Sequence, residues 1–103
     1  MRNMHLSEGV QEKIRVRVKI LGPLKEVSDR DVFELDVRRG ESLLSILRML
    51  PERLRDRVFD GEELAPDLLV LVNGVDVSCL GAIEEVNVEE DGEIVVIPVI
   101  HGG

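Results

Sequence analysis

Apolar and polar residues alternate strictly from Ile14 to Ile20. Ile14, Val16, Val18 and Ile20 form one set, and Arg15, Arg17 and Lys19 the other. Side chains of an extended chain point alternately to its two faces, so this period predicts a half-buried strand. Gly22-Pro23 breaks it. The same device returns in "DVFELDVRRG", with Phe33, Leu35 and Val37 on one side and Glu34, Asp36 and Arg38 on the other. These two strands are expected to pair through a loop around residues 22–30. From Ser42 the period changes to that of a helix. Leu43, Leu47 and Leu50, with Leu44 and Ile46, make a broad apolar face, and the Ser42 hydroxyl is placed to cap it. Pro51 lacks an amide proton, so it kinks this helix or starts a new turn, and Leu54 and Val58 continue the face. Gly61 and Pro66 bound a loop.

A third strand is expected over Leu68 to Val72, ending in Asn73-Gly74, a pair that tolerates the positive φ of a tight turn. Asp91-Gly92 marks a second turn before a final strand, Ile94 to Ile100. In that strand both sets are aliphatic: Ile94, Val96, Pro98 and Ile100 against Val95, Ile97 and Val99. Burial on both sides would explain this. With a single helical layer, however, one set is left uncovered and suited to a protein partner. Pro98 cannot donate to a ladder, so pairing weakens there or the proline faces an edge. The order strand, strand, helix, strand, strand predicts an α+β domain with a mixed sheet covered on one face.

Composition narrows the function. A chain of 103 residues that is 44% hydrophobic supports one modest core, and Phe33 and Phe59 are its only aromatics. So few stacking side chains and a net charge of −8 argue against direct nucleic-acid binding. The charge is segregated. Residues 1–59 carry 13 basic and 10 acidic side chains, a net of +3; residues 60–103 carry the other 11 acids and no base, a net of −11. Either this is a solvated acidic face, or Glu89, Glu90 and Asp91 meet a basic partner. Cys79 is the only cysteine, which fits a reducing, cytoplasmic setting, and "VSCLGAI" suggests a buried thiol. No apolar run approaches a membrane span, so no membrane association is expected. Residues 1–12 read as a flexible N-terminal tail, residues 13–100 as the domain, and residues 101–103 as a flexible C-terminal Gly-Gly tail.

Catalytic signals are sparse. His5, His101 and Cys79 are scattered, with no metal-ligand spacing and no phosphate-binding loop. A Cys79–His101 nucleophile pair is possible only on paper. Glu84-Glu85 and Glu89-Glu90-Asp91 read as solvated turns. The chain is thus expected to be non-catalytic alone, with no cofactor or metal of its own. The end of "IVVIPVIHGG" is different. Gly102 and Gly103 have no Cβ and pass through a channel too narrow for side chains, delivering only the α-carboxylate. A carboxylate can attack the α-phosphorus of ATP, giving an acyl-adenylate open to a sulfur or amine nucleophile.

Residues 13–103 resemble the small, sulfur-carrying subunit of molybdopterin synthase and the ubiquitin-fold sulfur carriers related to it. The resemblance rests on "LGPLKEV", "VLVNGVDV" and "LGAIEEVNVEEDGEIVVIPVIHGG"; the final His-Gly-Gly is similar to the end of the eukaryotic ubiquitin-related modifier. It implies a ubiquitin-like β-grasp fold, with first and last strands parallel at the centre of the sheet. It also implies that an E1-like adenylating enzyme, using ATP, activates the Gly103 carboxylate, which then becomes a thiocarboxylate. The tail, with Gly102 and Gly103, would enter a molybdopterin synthase large subunit for molybdopterin or tungstopterin synthesis. Pro98 and Val99, beside Ile97, Val95 and His101, would contact the partner. Sulfur transfer for tRNA thiolation, conjugation of Gly103 to target lysines, and an interaction domain with incidental glycines are the alternatives.

Overall fold

The computed structural model describes residues 12–99. Strand β1 (Lys13–Ile20) pairs antiparallel with β2 (Val32–Arg38), with Val16 opposite Leu35 and Val18 opposite Phe33. The connection contains a 3-10 turn, Gly22–Val27, that buries Leu24. A two-residue strand, β3 (Glu41–Ser42), leads into helix α1 (Leu43–Leu47), where Ser42 Oγ accepts a 3.1 Å bond from the Ser45 amide. The expected helix is divided in two. Pro51, with ψ of 152°, leaves the helical conformation, and α2 (Glu52–Val58) starts after it.

After α2 come β4 (Phe59–Asp60), β5 (Glu63–Leu64), β6 (Leu68–Val72) and β7 (Val75–Asp76). Then come β8 (Asn87–Val88) and β9 (Gly92–Pro98). β9 starts two residues earlier than its hydrophobic run suggests, because Gly92 already pairs with Val16. Two small ribbons, β3–β8 and β4–β5, stand apart from a five-stranded sheet ordered β2-β1-β9-β6-β7. Within that sheet β9 runs parallel to β1 and antiparallel to β6. Parallel neighbours need a long crossover, and the two helices lie within that connection, as in a β-grasp domain.

The core lies between one sheet face and the helices. Val16, Val18, Ile20, Val70, Ile94 and Val96 meet Leu43, Ile46, Leu47, Leu54 and Val58, all essentially inaccessible. Each such side chain contributes about 1.5–3 kcal/mol of burial. Among the described residues no helix packs on the opposite sheet face, where Arg15, Arg17, Glu34 and Asp36 are exposed.

Candidate functional site

The uncovered face of the sheet has two chemically different halves. On β9, Val95 and Ile97 are half-buried, and they stand opposite Leu71 and Leu69 of β6. Four aliphatic side chains therefore form one patch. The sequence identified its β9 half but missed Leu69 and Leu71. Every position of "LLVLV" is aliphatic, so alternation there assigns no face. On β1 and β2 the same face is ionic: Arg15 Nε lies 3.0 Å from Asp36, and Arg17 lies 3.4 Å from Glu34. The bond to Asp36, then the charges of Asp36 and Glu34, raise the Arg15 pKa above its ordinary value. These groups are exposed and neutralise one another, so the broad depression of about 890 Å³ above them is a solvated ion-pair ladder.

The aliphatic patch runs to the point where the chain leaves the sheet. Leu21 donates to the Val96 carbonyl at 3.0 Å, and there β1 ends. Pro98, two residues on, faces the side that β1 has vacated, so its missing N–H leaves no ladder bond unmade. Pro98 instead abuts the connection after β1; a Cβ on Gly22 would lie 3.6 Å from the proline Cδ. On the other side the Val99 amide donates a 2.7 Å bond to the Asp67 carbonyl. Val99 is 42% exposed. A cleft of about 450 Å³ opens at this root, lined by Pro23, Leu24, Arg57, Asp67, Leu68, Pro98 and Val99. The sequence pattern gave no sign of Arg57 or Asp67, because the cleft joins four separate segments.

Val95, Ile97, Pro98 and Val99 are thus together on one strand end, at the edge of an uncovered aliphatic face. His101, Gly102 and Gly103 lie outside the described residues, as does His5. One expectation fares differently. Cys79 is exposed, beside the exposed Leu80, because the chain leaves the sheet after β7 and only Val77 of that turn reaches the core. The thiol expected to be buried is therefore on the surface. Glu89, Glu90 and Asp91 are exposed, but they precede β9 at the end remote from Val99, where Asp91 accepts a 2.9 Å bond from the Arg15 amide. Among the described residues no group of three or more His, Cys, Asp or Glu is placed to hold a metal. No described helix is long and apolar enough to cross a membrane.

Fold and site together define a ubiquitin-like β-grasp domain that presents its final strand at the rim of an aliphatic face. Residues 15–103 match the model of the ubiquitin-related modifier family, Urm1, and the chain belongs to that family of sulfur carriers and modifiers. Three solved structures illustrate the likeness. Small archaeal modifier protein 1 (SAMP1) of Haloferax volcanii is 25% identical, covering 86% of this chain and 99% of that one, with a TM-score of 0.72. In the BexX/CysO complex of Amycolatopsis orientalis, the matching chain is 25% identical, covering 85% and 99%, with a TM-score of 0.68. A Pyrococcus furiosus protein described as a molybdopterin converting factor subunit 1 shares the fold at 15% identity, covering 84% and 99%, with a TM-score of 0.59. No curated protein sequence matches the chain.

Proposed function

We propose that the chain is a sulfur carrier whose reactive group is the carboxylate of Gly103. The observation that carries this is the strand end itself. Val99 leaves the sheet exposed, beside an aliphatic face on which no described helix packs, and Ile100, His101, Gly102 and Gly103 follow it in sequence. The face docks an E1-like adenylating enzyme, which binds ATP; the glycines carry the carboxylate to the α-phosphorus. Pyrophosphate leaves, and a sulfur donor then displaces AMP to give a thiocarboxylate. In this reading the described residues supply no general acid or base to either step. Its residues position the terminus and exclude water through Val95, Ile97, Leu69 and Leu71.

For the acceptor, the motif resemblance running through "VLVNGVDV" to the final Gly-Gly favours the pterin precursor in molybdopterin or tungstopterin synthesis. There the chain would act as the small subunit of a molybdopterin synthase, with the large subunit on the same aliphatic face. A second reading has its own support: membership of a family described as modifiers, and the likeness to SAMP1. In it, a target lysine displaces AMP and Gly103 becomes amide-linked. Thiocarboxylated chain presented in parallel with a large subunit and pterin precursor, with unmodified tRNA, and with cell extract separates these. Sulfur on the pterin supports the first reading. Thiolated tRNA without pterin product moves the carrier to tRNA, and Gly103–lysine adducts as the sole product support the modifier.

A further inference from the structure

Side-chain amines in this protein are confined to its first quarter. The sequence holds three lysines, Lys13, Lys19 and Lys25, against ten arginines, and residues 26–103 contain no lysine. The difference is chemical. A guanidinium stays protonated at any ordinary pH, whereas the deprotonated amine of lysine attacks acyl groups. An activated carboxyl on this chain therefore meets few amines of its own. Even the cation lining the cleft at the strand end is an arginine, Arg57.

Geometry separates the three lysines. Lys13 opposes Arg38, three residues before the Val16–Gly92 pair, so it lies at the end of the sheet remote from Val99. Lys19 is half-buried opposite Val95, and reaching it requires the terminus to double back over the aliphatic face. Lys25 belongs to the 3-10 turn whose first residue, Gly22, abuts Pro98. Residues three apart in such a turn eclipse one another, about 6 Å apart along its axis. Pro23 and Leu24, between them, line the same cleft as Val99. Lys25 is exposed, and the 3.7 Å ion pair to Asp31 that holds its amine is exposed too. Such a pair restrains it weakly. Beyond Val99 the four remaining residues give a covalent reach of about 13–14 Å.

We infer that Lys25 is an internal acceptor for the activated terminus, an inference that rests on the activation of Gly103 proposed above. The Lys25 Nζ lone pair adds to the Gly103 carbonyl carbon. The bond from that carbon to the adenylate oxygen breaks, AMP departs with the electron pair, and the surplus proton on nitrogen passes to water. An amide joins Gly103 to Lys25 within one molecule. Tethering by a short segment gives an effective concentration on the order of millimolar, so this route outruns capture by a second copy at micromolar protein. A partner seated on the strand end covers the route, which makes self-capture the fate of activated chain that is not docked.

The test uses the full chain carrying a C-terminal thioester of a small thiol, prepared by intein cleavage and held in mildly alkaline buffer. The expected product is lighter than the hydrolysed acid by one water, and peptide mapping joins Gly103 to Lys25. Lys25→Arg, which keeps the charge beside Asp31, loses that product, while Lys13→Arg retains it. Linkage to Lys13, Lys19 or the Met1 amine instead, a ladder of chain-to-chain adducts, or hydrolysis alone overturns the inference. Because no activating enzyme takes part, failure here leaves the carrier function standing. Failure of enzymatic activation, in turn, leaves this result standing.

Discussion

The side-chain oxygen of Asn73 accepts a 2.8 Å hydrogen bond from the Glu93 amide, while the Asn73 amide donates to the Glu93 carbonyl at 2.8 Å. The turn after β6 thereby clamps the first residues of β9. Asn73 sits at φ 50° and Gly74 at φ 83°, the left-handed pair that a tight hairpin of this twist requires. Gly92 is glycine for a different reason: a Cβ there would collide with the Asn73 amide, its Cγ only 2.8 Å away. Gly92→Ala should therefore destabilise the fold by about 1–3 kcal/mol, because the amide must move and the Glu93 N–H loses its partner. Asn73→Ala removes the obstruction along with the bond. Urea unfolding of the double variant should consequently show less than the sum of the two single losses.

The aliphatic face should separate docking from folding. Ile97→Asp places a charge at a half-buried position between Leu69 and the start of the C-terminal segment. Binding to the activating enzyme should weaken by about 2 kcal/mol, roughly thirtyfold in Kd, if this residue is a central contact. Thermal unfolding should shift little, since the side chain is already reached by solvent. Ile94→Ala on the opposite face should do the reverse, costing about 2–5 kcal/mol of stability, because Ile94 is fully enclosed. Calorimetric titration and a melting curve on each variant check the pair.

Much of this arrangement was legible in the chain. Alternation in Ile14–Ile20 and in Phe33–Val37 encodes both faces of β1 and β2 directly, because one face is ionic and the other aliphatic. Asn73-Gly74 and Pro51 are local backbone constraints, and each acts where it stands in the sequence. What was hidden depends on segments distant in sequence. The Asn73–Glu93 clamp spans the whole excursion through β7 and β8. The ribbons β3–β8 and β4–β5 have two residues per strand, too few for a period. Cys79 reads as core because its neighbours are apolar, yet of the turn Val77–Cys79 only Val77 is buried. The final strand's doubly aliphatic pattern pointed to a second apolar face, but its cross-strand neighbours Leu69 and Leu71 emerge only from the register.

Charge segregation along the chain does not place the acids beside Val99. Glu89 and Glu90 precede Gly92, and at about 3.3 Å per residue β9 carries the chain about 23 Å from there to Val99. That exceeds the screening length of about 10 Å at 0.1 M salt. Glu89→Lys with Glu90→Lys should therefore leave the association rate with the activating enzyme unchanged at that ionic strength. Stopped-flow mixing measures it, and a clear slowing would bring those acids into the interface.

The account stands on the carboxyl of Gly103, and intact mass of the chain after incubation with an activating enzyme, ATP and a sulfur donor reads it directly. The predicted species is heavier than the starting chain by the difference between one sulfur and one oxygen, with fragmentation placing the change on Gly103. It should be absent from a chain lacking Gly102 and Gly103. A chain that keeps its original mass under conditions where the enzyme charges its own known carrier would contradict the account.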